Sequence, residues 1–246
     1  MSLNPEQQTT AEDQPAMETT LVPSIQETRA DPASTLAWIQ TRIHNIYSAT
    51  KHLEPDSQSI TISASAYAEL YGAATNYCAV TKAKPHKGGL MGEDLYYSIE
   101  REIRAYCSDI RQAIFTKWIQ DMHRDVAERL LKMYMLQWDR FTKLAKLVSN
   151  LCRSLERHWI RREISEKKRD RYKIEDLHRK VWKEEILQVK QDEPLSRELQ
   201  ALRGAAIMLR DKAGEMTAEE MDLVQSVASA LSSTDLSLDV RLEATS

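Results

Sequence analysis

The residue types that most often carry chemistry are all present in this chain of 246 residues, but their spacing supports no catalytic centre. The six histidines form neither a His-x-x-x-His pair nor a His-Glu-x-x-His motif, and the three cysteines lack the spacing of zinc ligands. The glycines at positions 88, 89 and 92 are not followed by the Lys-Ser/Thr ending of a phosphate loop. The sequence therefore predicts a protein that is not an enzyme and holds no cofactor or metal.

A cationic segment, Glu156–Glu163 (ERHWIRRE), is the least ordinary feature of the chain. It places three Arg and one His around two large apolar residues, Trp159 and Ile160. Because so many cations are costly to hold together, the segment is typical of a surface that packs against something charged. It ends the longest apolar stripe of the sequence, whose members recur at helical spacing: Leu144, Val148, Leu151, Leu155 and Trp159.

A second stripe lies beside the apolar one and is too polar for a protein core. It begins at Leu147 and continues through Asn150, Ser154, His158 and Arg161. A mixed stripe of this kind is common on surfaces that face a partner protein. The alternative is an exposed helix end, where Arg is favourable near the negative end of the helix dipole.

Residues 153–183 hold twelve Lys and Arg against six acidic residues. Such a stretch could bind the phosphate backbone of a nucleic acid, with an affinity that falls steeply with salt. The interspersed acids instead favour a solvated helix face, and the aromatic residues of the stretch are not interleaved as stacking platforms. We therefore expect no nucleic-acid partner, and the nucleic-acid reading remains an alternative.

The elements that position these residues are predicted to be helices. No Gly or Pro occurs between Glu93 and Glu193, and no segment shows a sustained period of two. The sequence therefore predicts an all-α protein. Apolar periodicity places its helices from about Ser34, over Tyr67–Cys78, from about Glu93, over Asp125–Thr142, over Leu144–Trp159, from Ile174, from Pro194 and from Thr217.

Composition and charge suggest where the protein works. No apolar run approaches the roughly 20 residues that span a membrane, and the polar, acidic N-terminus does not look like a signal peptide. Each cysteine lies in an apolar stripe, which indicates reduced core residues. We expect a protein of the cytoplasm or the nucleus, with no membrane partner.

Several blocks of the sequence resemble the N-terminal region of cullins in both order and spacing. These blocks are YAELYGAATNYC at Tyr67–Cys78, LLKMYMLQWDRF, ERHWIRRE and RYKIEDLHRKVW, and the likeness covers roughly Leu36 to Leu187. They most resemble the cullin that scaffolds Skp-type, F-box-containing ubiquitin ligases. The resemblance implies a helical bundle or stalk built of cullin repeats and a non-catalytic scaffold function in ubiquitin-dependent protein catabolism.

Composition and the resemblance together divide the chain into four parts. Residues 1–34 would be a disordered acidic tail, because they are rich in Pro, Gln, Thr and Glu and poor in apolar residues. Residues 35–191 would form a cullin-repeat-like domain. Residues 192–232 would form part of a second repeat. We expect Leu195–Leu231 to bury poorly if the remainder of that repeat is absent, so that a protease-stable core would end near residues 188–194. Residues 233–246 would be a second disordered tail.

In this family the second and fifth helices of the first repeat bind the adaptor. Carried to this sequence, the second helix would present Tyr67 and Tyr71, with Ala74 one turn further on. The fifth helix would present the cations Arg157, His158 and Arg161, together with Asn150 and Ser154 of the polar stripe. The resemblance thus implies a Skp-type adaptor carrying an F-box protein as the partner, or a BTB-type adaptor in its place.

The sequence departs from the family at positions on the two helices that would bind the adaptor. Ala68 stands where a Met is common, Ala74-Thr75 replaces a Val-Tyr pair, and Ser154 replaces a tyrosine. The alternative function is therefore a helical interaction protein that has kept the fold and lost the adaptor. Because the chain contains no RING-binding C-terminal half, we expect no RING protein among its partners.

Overall fold

The computed structural model describes residues 21–51, 60, 62–81, 92–115, 123–167, 170–188, 196–210 and 217–236. The secondary structure of these residues is entirely helical, which confirms the all-α prediction. The helices are α1 Ile25–Ala30, α2 Pro32–Lys51, α3 Ala64–Thr81, α4 Gly92–Phe115 and α5 Arg124–Leu151, followed by α6, α7, α8 Arg197–Arg210 and α9 Ala218–Ser232.

Two of these helices are composite. In α6, the short segment Arg153–Leu155 leads into a π-helical turn, Glu156–Ile160, and then into Arg161–Ser165. In α7, Ile174–Val181 is followed by a π-helical turn, Trp182–Ile186. A π-turn adds one residue to the helical repeat and is frequent at functional sites.

The core is one continuous apolar cluster to which α2 to α9 all contribute. Helix α4 packs on α2, α5 and α7, while α3 packs on α1, α2 and α6. The apolar stripe predicted from the sequence is buried as expected, since Leu144, Val148, Leu151 and Leu155 are fully inaccessible. The three cysteines are also buried and free, as predicted.

The N-terminal boundary differs from the sequence prediction, which assigned residues 1–34 to a disordered tail. Helix α1 and the first turn of α2 lie within that stretch. The physical reason is local capping: Ser24 and Glu27 form a reciprocal capping box at α1, and the Asp31 carboxylate accepts from the amides of Ala33 and Ser34 at the start of α2. Residues 1–20 lie outside the described part of the chain.

The predicted helices Asp125–Thr142 and Leu144–Trp159 are not separated where the sequence placed their boundary. Helix α5 runs through Thr142 and Lys143 without a break, because neither residue stops a helix. The chain bends instead at Cys152, whose backbone angles (φ −98°, ψ 24°) leave the helical region. The polar stripe is therefore divided, with Asn150 at the end of α5 and Ser154 in α6.

Helices α8 and α9 are packed on α5, whereas the sequence predicted poor burial for Leu195–Leu231 in the absence of the remainder of the repeat. Their apolar faces are inaccessible: Leu199, Leu202, Ala205, Ala206, Leu209, Val227 and Leu231. Two ion pairs fasten them further, between Arg111 of α4 and Glu198 of α8, and between Arg124 of α5 and Glu220 of α9. Helix α5 supplies the surface on which these helices pack.

Candidate partner-binding surface

Helix α3 carries an aromatic pair at its surface. The rings of Tyr67 and Tyr71 are stacked, with centroids 6.2 Å apart and planes 9° from parallel. Both side chains are half-buried and pack against the edge of the core. Because the two residues are one helical turn apart, they present a preformed aromatic patch with little side-chain freedom left to lose on binding.

Helix α3 meets α6 through a polar contact one turn beyond this pair. The hydroxyls of Thr75 and Ser154 are hydrogen-bonded at 2.8 Å. Ser154 is only 8% exposed and Ala74 only 1% exposed. Two residues predicted to bind a partner therefore serve mainly to join the helices: Ala74 is core, and the Ser154 hydroxyl is used within the chain. The small side chains allow the close approach.

The cationic part of α6 lies on the π-turn. Within it, Trp159 and Ile160 are buried while their neighbours Arg157 and His158 are exposed, and Arg161 follows on the exposed side. Neither Arg157 nor Arg161 forms an ion pair with a residue of the described ranges. Asn150, at the end of α5, is exposed as well. The unusual pattern of ERHWIRRE thus reflects a π-turn that buries its apolar residues and leaves its cations in water.

Tight packing around Trp159 fixes the orientation of this turn. The first residue of α4, Gly92, lies so close that a Cβ there would come 2.6 Å from the Trp159 ring. On the other side, the guanidinium of Arg171 lies 5.7 Å from the Trp159 ring centroid, over Tyr96 and Tyr97 as well. Arg171 also pairs with Glu93 at 3.1 Å. These contacts set the angle at which the cations of α6 project.

Glu156 links the same turn to α7. Its carboxylate accepts from the backbone amide of Ile174, the first residue of α7, and from the Ser149 hydroxyl, both at 3.0 Å. An acidic group at a helix N-terminus accepts hydrogen bonds from free backbone amides, and its negative charge interacts favourably with the positive end of the helix dipole. The turn is thus held by α4, α5 and α7 together.

A buried polar pair lies deeper in the core. His178 of α7 donates from Nδ1 to the Ile174 carbonyl at 2.7 Å, so its Nε2 accepts from the Tyr47 hydroxyl of α2, also at 2.7 Å. Burial lowers the pKa of His178 to about 4. Burial also raises the pKa of Tyr47 well above its usual value. Both groups are neutral at neutral pH and have their hydrogen bonds satisfied, so they are structural.

Some of the other cations of residues 153–183 are paired with nearby acids. Arg179 contacts Glu175 and Asp176, and Lys180 contacts Glu184. Arg162 lies 3.9 Å from Glu163 and 3.7 Å from Glu166. This local pairing favours the solvated-face interpretation over a nucleic-acid surface, because a phosphate backbone needs cations that are not already neutralised.

Within the described ranges, no group of His, Cys, Asp and Glu is arranged to hold a metal ion. None of the described helices is both long enough and apolar enough to span a bilayer.

Sequence reasoning found the exposed residues of the surface but not those that support it. The sequence alone does not single out Gly92 or Arg171, because their partners Trp159 and Tyr96 are distant in the sequence. The residue types of ERHWIRRE mark the segment as unusual, but nothing in them indicates what holds it in place.

Comparison of the sequence with models of known protein families finds a match over most of the chain. The family model of the Cullin alpha solenoid domain matches residues 38–238, which include every helix from α3 to α9 and most of α2. The match agrees with the all-helical fold and includes α8 and α9 together with the preceding helices.

The identity between this chain and individual relatives is below 30%. Cullin-1 of Dictyostelium discoideum is 29% identical over 126 residues, which cover 47% of this chain and 15% of that protein. Cullin-1 of Caenorhabditis elegans is 28% identical over 123 residues, covering 50% and 15%. Cell division control protein 53 of Saccharomyces cerevisiae is 24% identical over 174 residues, covering 66% and 20%. The chain thus spans a fifth or less of the length of these relatives.

Proposed function

The chain belongs to the cullin family, and from this premise we propose that it is a non-catalytic scaffold module of a ubiquitin ligase. In this function the surface of α3 and α6 binds a Skp-type adaptor that carries an F-box protein. The binding residues are Tyr67 and Tyr71 on α3 with Arg157, His158 and Arg161 on α6, and we call them the α3–α6 face. Such a module works in the cytoplasm or the nucleus.

One observation carries the proposal: a stacked tyrosine pair and the exposed arginines Arg157 and Arg161 occur on two helices that are in direct contact. Aromatic residues and Arg are the types enriched at the centres of protein interfaces. Here the tyrosines are rigid and partly exposed, and the cations are held by a packed π-turn. The face is therefore preorganised, which lowers the entropic cost of association.

The two parts of the face have different tasks. Burial of the Tyr67 and Tyr71 rings supplies most of the binding free energy, since truncating an aromatic anchor typically costs about 2 kcal/mol or more. Arg157 and Arg161 orient the partner through charge complementarity and speed its association. The partner must accordingly present an apolar surface for the rings, bordered by acidic residues.

Charge reversal tests this assignment. We expect Arg157→Glu with Arg161→Glu to weaken binding to a purified Skp-type adaptor at least tenfold and to reduce its dependence on salt, as measured by calorimetry. Arg101→Glu with Lys132→Glu is the matched control, because it makes the same change of charge at exposed positions of α4 and α5. Equal affinity of both charge-reversed proteins would contradict the proposal.

The second candidate function is an interaction protein that retains the fold without adaptor binding. The bonding of Thr75 to Ser154 and the burial of Ala74 favour it, because no large anchor stands between the tyrosines and the cations. Titration against a Skp-type and a BTB-type adaptor separates the candidates. A folded chain that binds neither adaptor would support this second function, and binding to the BTB-type alone would change the partner.

A further inference from the structure

A groove of about 750 Å³ lies between α2 and the segment that precedes it, outside the α3–α6 face. One wall is formed by Leu21, Pro23 and Ala30, and the floor by a face of α2 that includes Trp38 and Arg42. Leu21 is 90% exposed, which is unusual for so large an apolar side chain. The volume is within the range of clefts that bury a substantial part of a ligand.

The floor of the groove follows a single face of α2. Apart from the buried Thr35, its residues are Ser34, Ala37, Trp38, Thr41, Arg42 and Asn45, at successive spacings of three, one, three, one and three. This face is about 16 Å long at 1.5 Å per residue, or about three helical turns. Small side chains surround Trp38, and small side chains allow another helix to approach closely.

The charged residues of the groove differ in whether they already have a partner within the chain. Glu27 closes the capping box of α1, and Asp31 caps α2, so both carboxylates are occupied by helix amides. Arg42 lies 5.1 Å from the Trp38 ring centroid and forms no ion pair with any described residue. One end of the groove therefore offers a cation without a carboxylate, beside an aromatic ring.

We propose that this groove binds an amphipathic helix of a partner protein. Apolar residues of that helix, one turn apart, cover Trp38 and Leu21, and an acidic side chain pairs with Arg42. An extended peptide is disfavoured, because the walls of the groove are helical and irregular and offer no sheet edge to extend. This second docking surface shares no residue with the α3–α6 face.

Designed peptides test the groove directly. The probes are two fluorescein-labelled helical peptides of 16 residues, with Leu at positions one turn apart, that differ only in having Glu or Lys at the position facing Arg42. Fluorescence anisotropy against the full chain should show that the Glu peptide binds at least tenfold more tightly than the Lys peptide. Trp38→Ala should weaken both, and Arg42→Glu should reverse the preference.

Arg42→Glu alters a side chain that is not in the core, so it keeps the test valid if Trp38→Ala unfolds the chain. The control Arg101→Glu with Lys132→Glu, at exposed positions of α4 and α5, should leave the preference between the two peptides unchanged. Absence of binding, or a preference indifferent to Arg42→Glu, would overturn the proposal. So would a concentration-dependent dimer in analytical ultracentrifugation that is lost in Arg42→Glu, because a second copy of the chain would then occupy the groove.

Discussion

At the scale of single residues, the buried pair of His178 and Tyr47 connects α7 to α2 and makes the fold sensitive to acid. The imidazole must be neutral to accept from the Tyr47 hydroxyl while donating to the Ile174 carbonyl. Its pKa is about 4 in the folded chain, against a usual value of 6.5. Between these values the unfolded chain binds the proton more tightly, so stability falls as the pH falls.

We expect the free energy of unfolding, measured with urea, to decrease by on the order of 3 kcal/mol between pH 6.5 and pH 4 through this group alone. The variant His178→Gln should be less stable at pH 7 but should lose this part of the pH dependence. Parallel pH profiles for the two proteins would show that His178 is not the group responsible.

Two glycines give opposite predictions. Gly92→Ala brings a Cβ to 2.6 Å from the Trp159 ring, so the ring or the start of α4 must move. We expect a loss of about 1–3 kcal/mol in unfolding free energy. Gly72→Ala, inside α3, meets nothing within 4 Å and should stabilise the chain by about 0.5–1 kcal/mol, because Ala is the better helix former. Thermal denaturation of both variants checks the pair, and equal effects would contradict the close contact at Gly92.

At the scale of elements, the packing of α8 and α9 on α5 determines whether the described helices behave as one unit. Their inaccessible leucines and the ion pairs to Glu198 and Glu220 tie them to α4 and α5. We expect backbone amides in the middle of α8 and α9 to exchange with deuterium nearly as slowly as those of α5, because such amides open only with the whole core.

Glu198→Gln is the matching variant, since it removes the charge but keeps the shape of a side chain that is 5% exposed. It should speed exchange in α8 more than in α3, which it does not touch. Fast exchange throughout α8 and α9 in the unaltered chain, with α5 protected, would mean that residues 196–232 fold as a separate, weaker unit, as the sequence alone suggested.

The sequence predicted the helical elements well and their junctions poorly. Apolar periodicity located α3 and α4 and the buried stripe from Leu144 to Trp159, because spacing alone determines which residues share a helix face. It misplaced the break at Thr142, since the bend at Cys152 and the π-turn after it depend on packing against Gly92 and Arg171. Those partners lie too far along the chain to be read from local pattern.

The candidate site was predicted in the same uneven way. Family resemblance and the polar stripe selected Tyr67, Tyr71 and the cations of α6, which the structure leaves partly or fully exposed. Ala74 and Ser154 were selected by the same reasoning and are buried at the contact of α3 with α6. Spacing in the sequence indicates which face of a helix a residue lies on. Whether a second helix covers that face depends on the tertiary fold.

At the scale of the whole molecule, α3 and α6 owe their arrangement to the entire bundle. Helix α3 rests on α1 and α2, while α6 is fixed by α4, by α5 and by the amide of Ile174 in α7. A scaffold holds its partners in position and does not itself catalyse a reaction, so a rigid bundle suits the proposed function. The central claim is that this rigid face, and the tyrosine pair above all, binds a Skp-type adaptor.

The most direct measurement of that claim is the dissociation constant for a purified complex of a Skp-type adaptor with an F-box protein, determined by isothermal titration calorimetry. The account predicts saturable binding by the unaltered chain. It also predicts a loss of at least a hundredfold in Tyr67→Ala with Tyr71→Ala, since each anchor contributes about 2 kcal/mol or more. Circular dichroism must show that the variant remains helical. Undiminished binding by that folded variant would contradict the account.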